Sequence, residues 1–350
     1  MSTRRAGSSA RLIAALSAGT IACAAIVGAD FDEPASLAVD GGAVEAATPV
    51  PDPPRDTGAV DEGELPGTAP SCAGLPRTCG ATRDGDCCAS TVVPGGTFER
   101  SYDGQSYPDA VAPARVREFR LDRYEVTVGR FRRFVEGYPA NRPSPRTGAN
   151  ANNLFDPGWD PGWNDSLPAD ADALRASVAC NGTTWTDAPG SGENRAMNCL
   201  DWFVAFAFCI WDGGRLPSEA EWNFAASGGG EHRVYPWSVP PASSAIDESH
   251  AVYTVSAAPG VRDVGSKAPG LGRWEHADLA GNVREWVLDW YNGVYVLPCN
   301  DCARTDGGAS RAYRGGGFRA APNELLSARR GNIFPVQKSD QSGVRCARGR

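Results

Sequence analysis

Ten cysteines lie between Cys72 and Cys346, and they constrain this chain more than any helix or strand pattern does. An even set of that size suits a chain that folds in an oxidising compartment, where disulfides form and persist. An eleventh, Cys23, stands alone in the N-terminal leader. There Arg4 and Arg5 precede a run of small and apolar residues over 12–29, and Asp30, Asp32 and Glu33 follow at once. Charged, apolar, then polar is the order of a secretory signal. The run is slightly shorter than the roughly twenty apolar residues of a spanning helix and is rich in small side chains. Two processing sites compete. Thr20-Ile21-Ala22-Cys23 has the form of a lipobox, which leaves Cys23 lipidated at the new N-terminus, whereas Val27-Gly28-Ala29 is a small-x-small cleavage site. The expected product is an outer-membrane or periplasmic lipoprotein held to the membrane by its lipid alone, or a secreted protein if cleavage follows Ala29.

After the signal segment (1–29), residues 30–70 are dominated by Ala, Pro, Gly, Asp and Glu, with Pro-Val-Pro-Asp-Pro-Pro at 49–54. So little apolar surface does not offset chain entropy, and the segment reads as a disordered tether. Residues 71–90 then gather Cys72, Cys79, Cys87 and Cys88. Twenty residues hold no core of their own, so two disulfides are expected to staple them, with connectivity open. Zinc fits poorly, because the gaps are not those of two C-x-x-C knuckles.

The main domain is expected over 91–350. Its ten Trp against two Met point to rigid aromatic anchors in the core, and 41 Gly with 27 Pro point to a loop-rich fold. Phe119, Leu121, Tyr124 and Val126 alternate as a strand does, with a slip of parity at Asp122-Arg123. Thr127 is placed to cap a helix with Val128, Phe131, Phe134 and Val135 on one face. Asp201 does the same for a helix that turns Phe206, Cys209 and Ile210 inward, and Ser218 with Glu221 forms a capping box for a third. Beyond residue 230 only short strand-like pieces remain between turns. The class is α+β, loop-rich, with short antiparallel strands and two or three helices. The net charge of −8 carries no basic footprint for nucleic acid. Three histidines without a nucleophile motif argue against a hydrolase, and His276 reads as a satisfied surface residue. Cys299-x-x-Cys302, beside Pro298 and around Asn300-Asp301, reads as a local structural disulfide and not as a redox pair.

A set of motifs then follows in a fixed order. It opens on Arg120-Leu121-Asp122-Arg123-Tyr124-Glu125-Val126-Thr127. Asn198-Cys199-Leu200-Asp201-Trp202, Ala207-Phe208-Cys209-Ile210-Trp211 and Gly214-Arg215-Leu216-Pro217-Ser218-Glu219-Ala220-Glu221-Trp222 come next. The set continues with Tyr235-Pro236-Trp237 and Asp278-Leu279-Ala280-Gly281-Asn282-Val283-Arg284-Glu285-Trp286. It closes with Arg314-Gly315-Gly316-Gly317-Phe318 and Gly343-Val344-Arg345-Cys346-Ala347. Together they resemble the formylglycine-generating enzyme, or sulfatase-modifying factor, family over about 91–348. The resemblance implies that family's variant of the C-type-lectin-like fold. It also implies a disulfide between Cys209 and Cys346, which leaves Cys180 and Cys199 to pair.

The family's copper enzymes bind Cu(I) through two cysteines shortly after the Arg-Gly-Gly motif, and soft thiolates suit that ion. Here those positions fall on Ala320 and Leu325, and no cysteine lies between Cys302 and Cys346, so copper is not expected. The family's structural Ca²⁺ maps onto Asp278, Gly281, Val283 and Glu285, a set of hard oxygens. The competing reading is a tight turn before a buried Trp286, with Glu285 in a salt bridge. Trp159, Trp163 and Trp185 can line a ligand groove between about 141 and 187, or else fill the core under long loops. The function expected is non-catalytic: a monomeric recognition or structural module whose partner is an envelope protein or glycan. The alternative is a copper-dependent oxidase that converts a protein cysteine to formylglycine.

Overall fold

Short side chains that hold main-chain amides decide where the helices begin. The computed structural model describes residues 69–255 and 260–349, so the leader, Cys23 and nearly all of the 30–70 segment lie outside it. The Thr127 hydroxyl accepts the Arg130 amide ahead of α1 (Val128–Glu136). Asp170 accepts the Ala173 amide ahead of α2 (Ala171–Ser177), a helix absent from the sequence reading. Asp201 accepts the Val204 amide ahead of α3 (Trp202–Trp211). Ser218 and Glu221 complete a capping box on α4 (Glu219–Ala226). Each cap supplies an acceptor to amides that have no partner inside the helix.

Among the described residues, ten short strands make three small sheets. In the first, β4 (Phe119–Asp122) lies between β1 (Ser90–Val93) and β10 (Ala347–Arg348), antiparallel to both. The first and last of these strands thereby flank the same central one. In the second, β3 (Pro113–Val116) runs antiparallel to β2 (Gly96–Glu99) and parallel to β6 (Cys299–Asn300). The third has the order β8 (Gly331–Ile333), β7 (Arg311–Arg314), β5 (Arg284–Trp290), β9 (Ser342–Gly343), with only the β5–β9 pair parallel. This α+β class, with few helices, short strands and long loops, is the one read from the sequence.

Among the described residues five disulfides tie the chain together: Cys72–Cys88, Cys79–Cys87, Cys180–Cys199, Cys209–Cys346 and Cys299–Cys302. Cys209–Cys346 joins α3 to the segment leading into β10, 137 residues later. The two bonds of the 71–90 segment leave it no separate unit. Cys79 and Cys87 sit in one apolar cluster with Tyr124, Val252, Val264 and Val283. The Ser71 amide donates to Asp212, and its hydroxyl accepts from Arg130. The boundary expected at residue 91 therefore cuts β1, whose first residue is Ser90.

Packing decides between the two readings that the sequence leaves open for the tryptophans. Trp159 is 1% exposed and Trp185 7%. Both belong to the main core with α1 and α3, and Trp163 packs on that core at its edge. Trp163 meets the Trp159 and Trp202 rings at 5.4 and 5.1 Å. The three tryptophans do not form a groove. Trp159 and Trp163 pack on Phe206 and Trp202 of α3 and Trp185 on Phe131 of α1, with Leu167, Leu174 and Val178 of the same 141–187 segment in the same core. His276 is likewise not a surface residue. It is fully buried, its Nε2 lies 2.7 Å from the Thr91 hydroxyl, and burial pushes it down to about 3.

Candidate functional site

Two neighbouring parts of the fold carry the residues singled out above: the 278–285 loop entering β5, and the 315–325 turn leaving β7. The first is built by backbone geometry. Asp278, Gly281 and Asn282 all have positive φ, at 55°, 90° and 55°. A Cβ on Gly281 would stand 2.4 Å from the Val252 carbonyl, so only glycine fits there. The amides of Gly281 and Asn282 donate to Gly315 and Val252 carbonyls. The Val283 amide and the Asn282 side chain both donate to Glu125, a buried carboxylate from the start of the domain.

Glu285 faces the core from β5. Its two oxygens accept Nε and Nη2 of Arg345, each at 2.7 Å, and one also accepts Trp222 Nε1 at 2.7 Å. Glu285 and Arg345 are both 0% exposed. Arg345 donates further to the carbonyls of Asp122, Arg123 and Ala277. Asp278 accepts the Gly265 amide at 2.6 Å. Burial pushes Asp278 up to about 6, and burial with Asp278 and Glu285 nearby holds Glu125 well above the usual carboxylate range.

The fit to a hard divalent cation is therefore divided. Charge favours it, since Glu125, Asp278 and Glu285 are three buried carboxylates beside one guanidinium, Arg345. Geometry opposes the complete four-residue set. Glu285 is engaged by Arg345 and Trp222, as in the salt-bridge reading. No group of three or more His, Cys, Asp or Glu among the described residues is arranged to hold a metal ion. Asp278 and the carbonyls of Gly281 and Val283 remain as the oxygens that would hold one.

The second part has no soft ligands. Ala320 is 6% exposed, and Leu325 is fully buried with Val234, Tyr235 and Leu326. All ten cysteines among the described residues are in disulfides, Cys299 and Cys302 included. The residues at this position do not fit Cu(I). What surrounds Ala320 is a cleft of about 100 Å³ whose wall carries Arg284, Arg314, Arg319, Arg329 and Arg330. Reading the sequence missed this ring. Its members come from β5, the end of β7 and two later turns; Arg284 and Arg314 lie in motif segments, and Arg319, Arg329 and Arg330 lie outside them.

Small sheets, two long core helices and a loop-rich surface cross-linked by disulfides define a C-type-lectin-like domain of the sulfatase-modifying kind. Residues 78–350 match the sulfatase-modifying factor enzyme 1-like domain, and the chain belongs to that family. It is 30% identical over 289 residues to the inactive C-alpha-formylglycine-generating enzyme 2 of Bos taurus, a match covering 73% of this chain and 87% of the relative. It is also 30% identical over 319 residues to the formylglycine-generating enzyme of Streptomyces coelicolor, covering 80% and 95%. The solved structure of PvdO from Pseudomonas aeruginosa superimposes with a TM-score of 0.53 at 21% identity, over 79% of this chain and 99% of that one. That likeness shows the fold.

Proposed function

We propose that this protein is an exported, lipid-anchored member of the family that serves as a non-catalytic recognition or structural module. One observation carries the reading. Where the copper chemistry implied by the resemblance needs two thiolates, this chain has the methyl group of Ala320 and the buried side chain of Leu325. No described cysteine is free to replace them, since all ten are paired. A relative named as inactive and a relative named as an enzyme are similar to this chain in equal measure, so the reading is supported by the residues at the site and not by the likeness. Ca²⁺ held by Asp278 with the carbonyls of Gly281 and Val283 belongs to the same proposal, as a structural ion that offsets buried negative charge. The partner is an envelope protein or glycan.

The test is copper-supplemented turnover of a Cys-x-Pro-x-Arg peptide by the purified protein, read as the mass change from cysteine to formylglycine. No turnover and no Cu(I) binding is the expected result. Turnover would overturn the reading and establish the oxidase alternative, with Cys299 and Cys302 the first residues to replace.

A further inference from the structure

The cleft around Ala320 is charged in a way that its own residues do not balance. Arg314 is buried and donates to Glu219 at 3.0 Å, and Arg330 grips the same carboxylate with two bonds of 2.7 Å. Two guanidiniums thus share one acid. Arg319 pairs with Asp340 at 2.6 Å. Arg284 and Arg329 make no ion pair among the described residues. Arg284 donates to the Ser342 hydroxyl at 3.1 Å and stacks on the Tyr313 ring at 4.5 Å. Arg329 donates to the Tyr107 hydroxyl at 3.4 Å. Glu324 also lines the cleft, with one oxygen accepting the Ala321 amide. Five guanidiniums therefore face three carboxylates, Glu219, Asp340 and Glu324, and two positive charges are left in excess.

The space that can answer them is modest: about 100 Å³, several times what a single water needs. That is room for an oxyanion group among the guanidiniums. The planar guanidinium of Arg284 is already oriented by its stack on Tyr313, so little rotamer freedom is lost when it takes a ligand. Ala320 adds an apolar wall and no competing charge. The protein as a whole carries a net charge of −8, so a positive cleft here runs against its average field.

We propose that this cleft binds a dianionic oxyanion, of sulfate or phosphate size, with Arg284 and Arg329 as its principal counter-charges. The inference deepens the recognition reading and rests on it, because it assigns to ligand binding the place where that reading removes catalysis. The ligand is either a free inorganic dianion or the charged end of a larger ester.

Calorimetric titration of the full purified chain at low ionic strength tests it, with inorganic sulfate and methyl phosphate as probes. Saturable binding of sulfate that weakens with added salt is expected, and acetate should bind far less well. Retention of methyl phosphate would identify an ester end-group as the natural ligand, and its rejection would identify the free dianion; either requires the cleft. Arg329 is exposed, so Arg329→Gln leaves the fold intact and should weaken sulfate binding by about tenfold, the size of one lost charge-assisted hydrogen bond. Arg83→Gln, in a separate basic cleft with Arg195 and Lys267, should change nothing. No binding, or binding lost with Arg83→Gln and kept with Arg329→Gln, would overturn the proposal. The peptide-oxidation assay on the same preparation separates the two failures: turnover sinks the non-catalytic reading, and absent sulfate binding sinks only this one.

Discussion

Glu285→Gln separates the two claims that meet at the 278–285 loop. The substitution keeps the shape of the side chain and an acceptor for Trp222 Nε1, but removes the charge that Arg345 grips with two 2.7 Å bonds. Arg345 is 0% exposed, so its guanidinium stays buried and is left with three carbonyl acceptors. Breaking a buried pair by removing one partner costs about 3–5 kcal/mol. Glu125 and Asp278 still act on Arg345 electrostatically, which places the expected loss near the lower end, about 3 kcal/mol. A domain of this length shifts by roughly 2–4 °C per kcal/mol, so the midpoint should fall by about 6–12 °C. Thermal unfolding with disulfides intact, read by near-ultraviolet circular dichroism, measures it in calcium and in chelator. Calcium at a hundred times its dissociation constant adds about 2.7 kcal/mol to whichever protein binds it. If Asp278 and the carbonyls hold the ion, wild type and variant lose the same increment in chelator. A variant that melts within about 2 °C of wild type in chelator would refute the ion-pair argument. A variant that has lost the calcium increment altogether would show that Glu285 is a ligand and that Arg345 yields to the ion.

Three further outcomes are expected. Arg311 lies between the Trp202 and Trp290 rings, 3.6 and 3.5 Å from their centroids, yet its Nε and Nη2 bond no acceptor among the described residues. Arg311→Met should therefore change stability by less than about 1.5 kcal/mol, whereas Arg130→Met, which leaves the buried carboxylates of Asp122 and Asp212 to share Arg348 alone, should cost about 3 kcal/mol in urea unfolding; the reverse order would refute the contrast. Burial, with Glu219 close by, pushes Asp289 up to about 7, so the folded state holds this proton more tightly than the unfolded chain, where aspartate titrates near about 4. Its stabilising effect is complete below that lower value and is lost as pH rises through about 7; stability should fall from about pH 5 to pH 8, and a slope unchanged in Asp289→Asn would count against the assignment. Cys23→Ser should move the protein from the membrane fraction to the soluble exported fraction, and an unchanged distribution would favour cleavage after Ala29.

Local chemistry was legible in the sequence because it acts over a few residues. Thr127, Asp201 and Ser218 cap helices through amides three positions away, and such contacts follow from residue type and spacing alone. The absence of thiolates at Ala320 and Leu325 was equally plain, since it depends on identity at two positions. Asp170 was missed although it caps α2 in the same way; seven residues with one buried leucine give too little periodicity to stand out.

What the tertiary structure decided is every question of which charge or ring meets which. Glu285 could be read as an ion ligand or as half of a salt bridge until the fold brought Arg345, 60 residues away, against it. Trp159, Trp163 and Trp185 have the same composition in a groove as in a core, and only packing on α1 and α3 assigns them to the core. The arginine cleft is the clearest case. Its five guanidiniums are scattered over β5, β7 and the turns beyond, each unremarkable alone. They make a site only because the Arg314 and Arg330 side chains converge on the single carboxylate of Glu219. Coulomb energy depends on separation in space and on burial, and sequence distance carries neither.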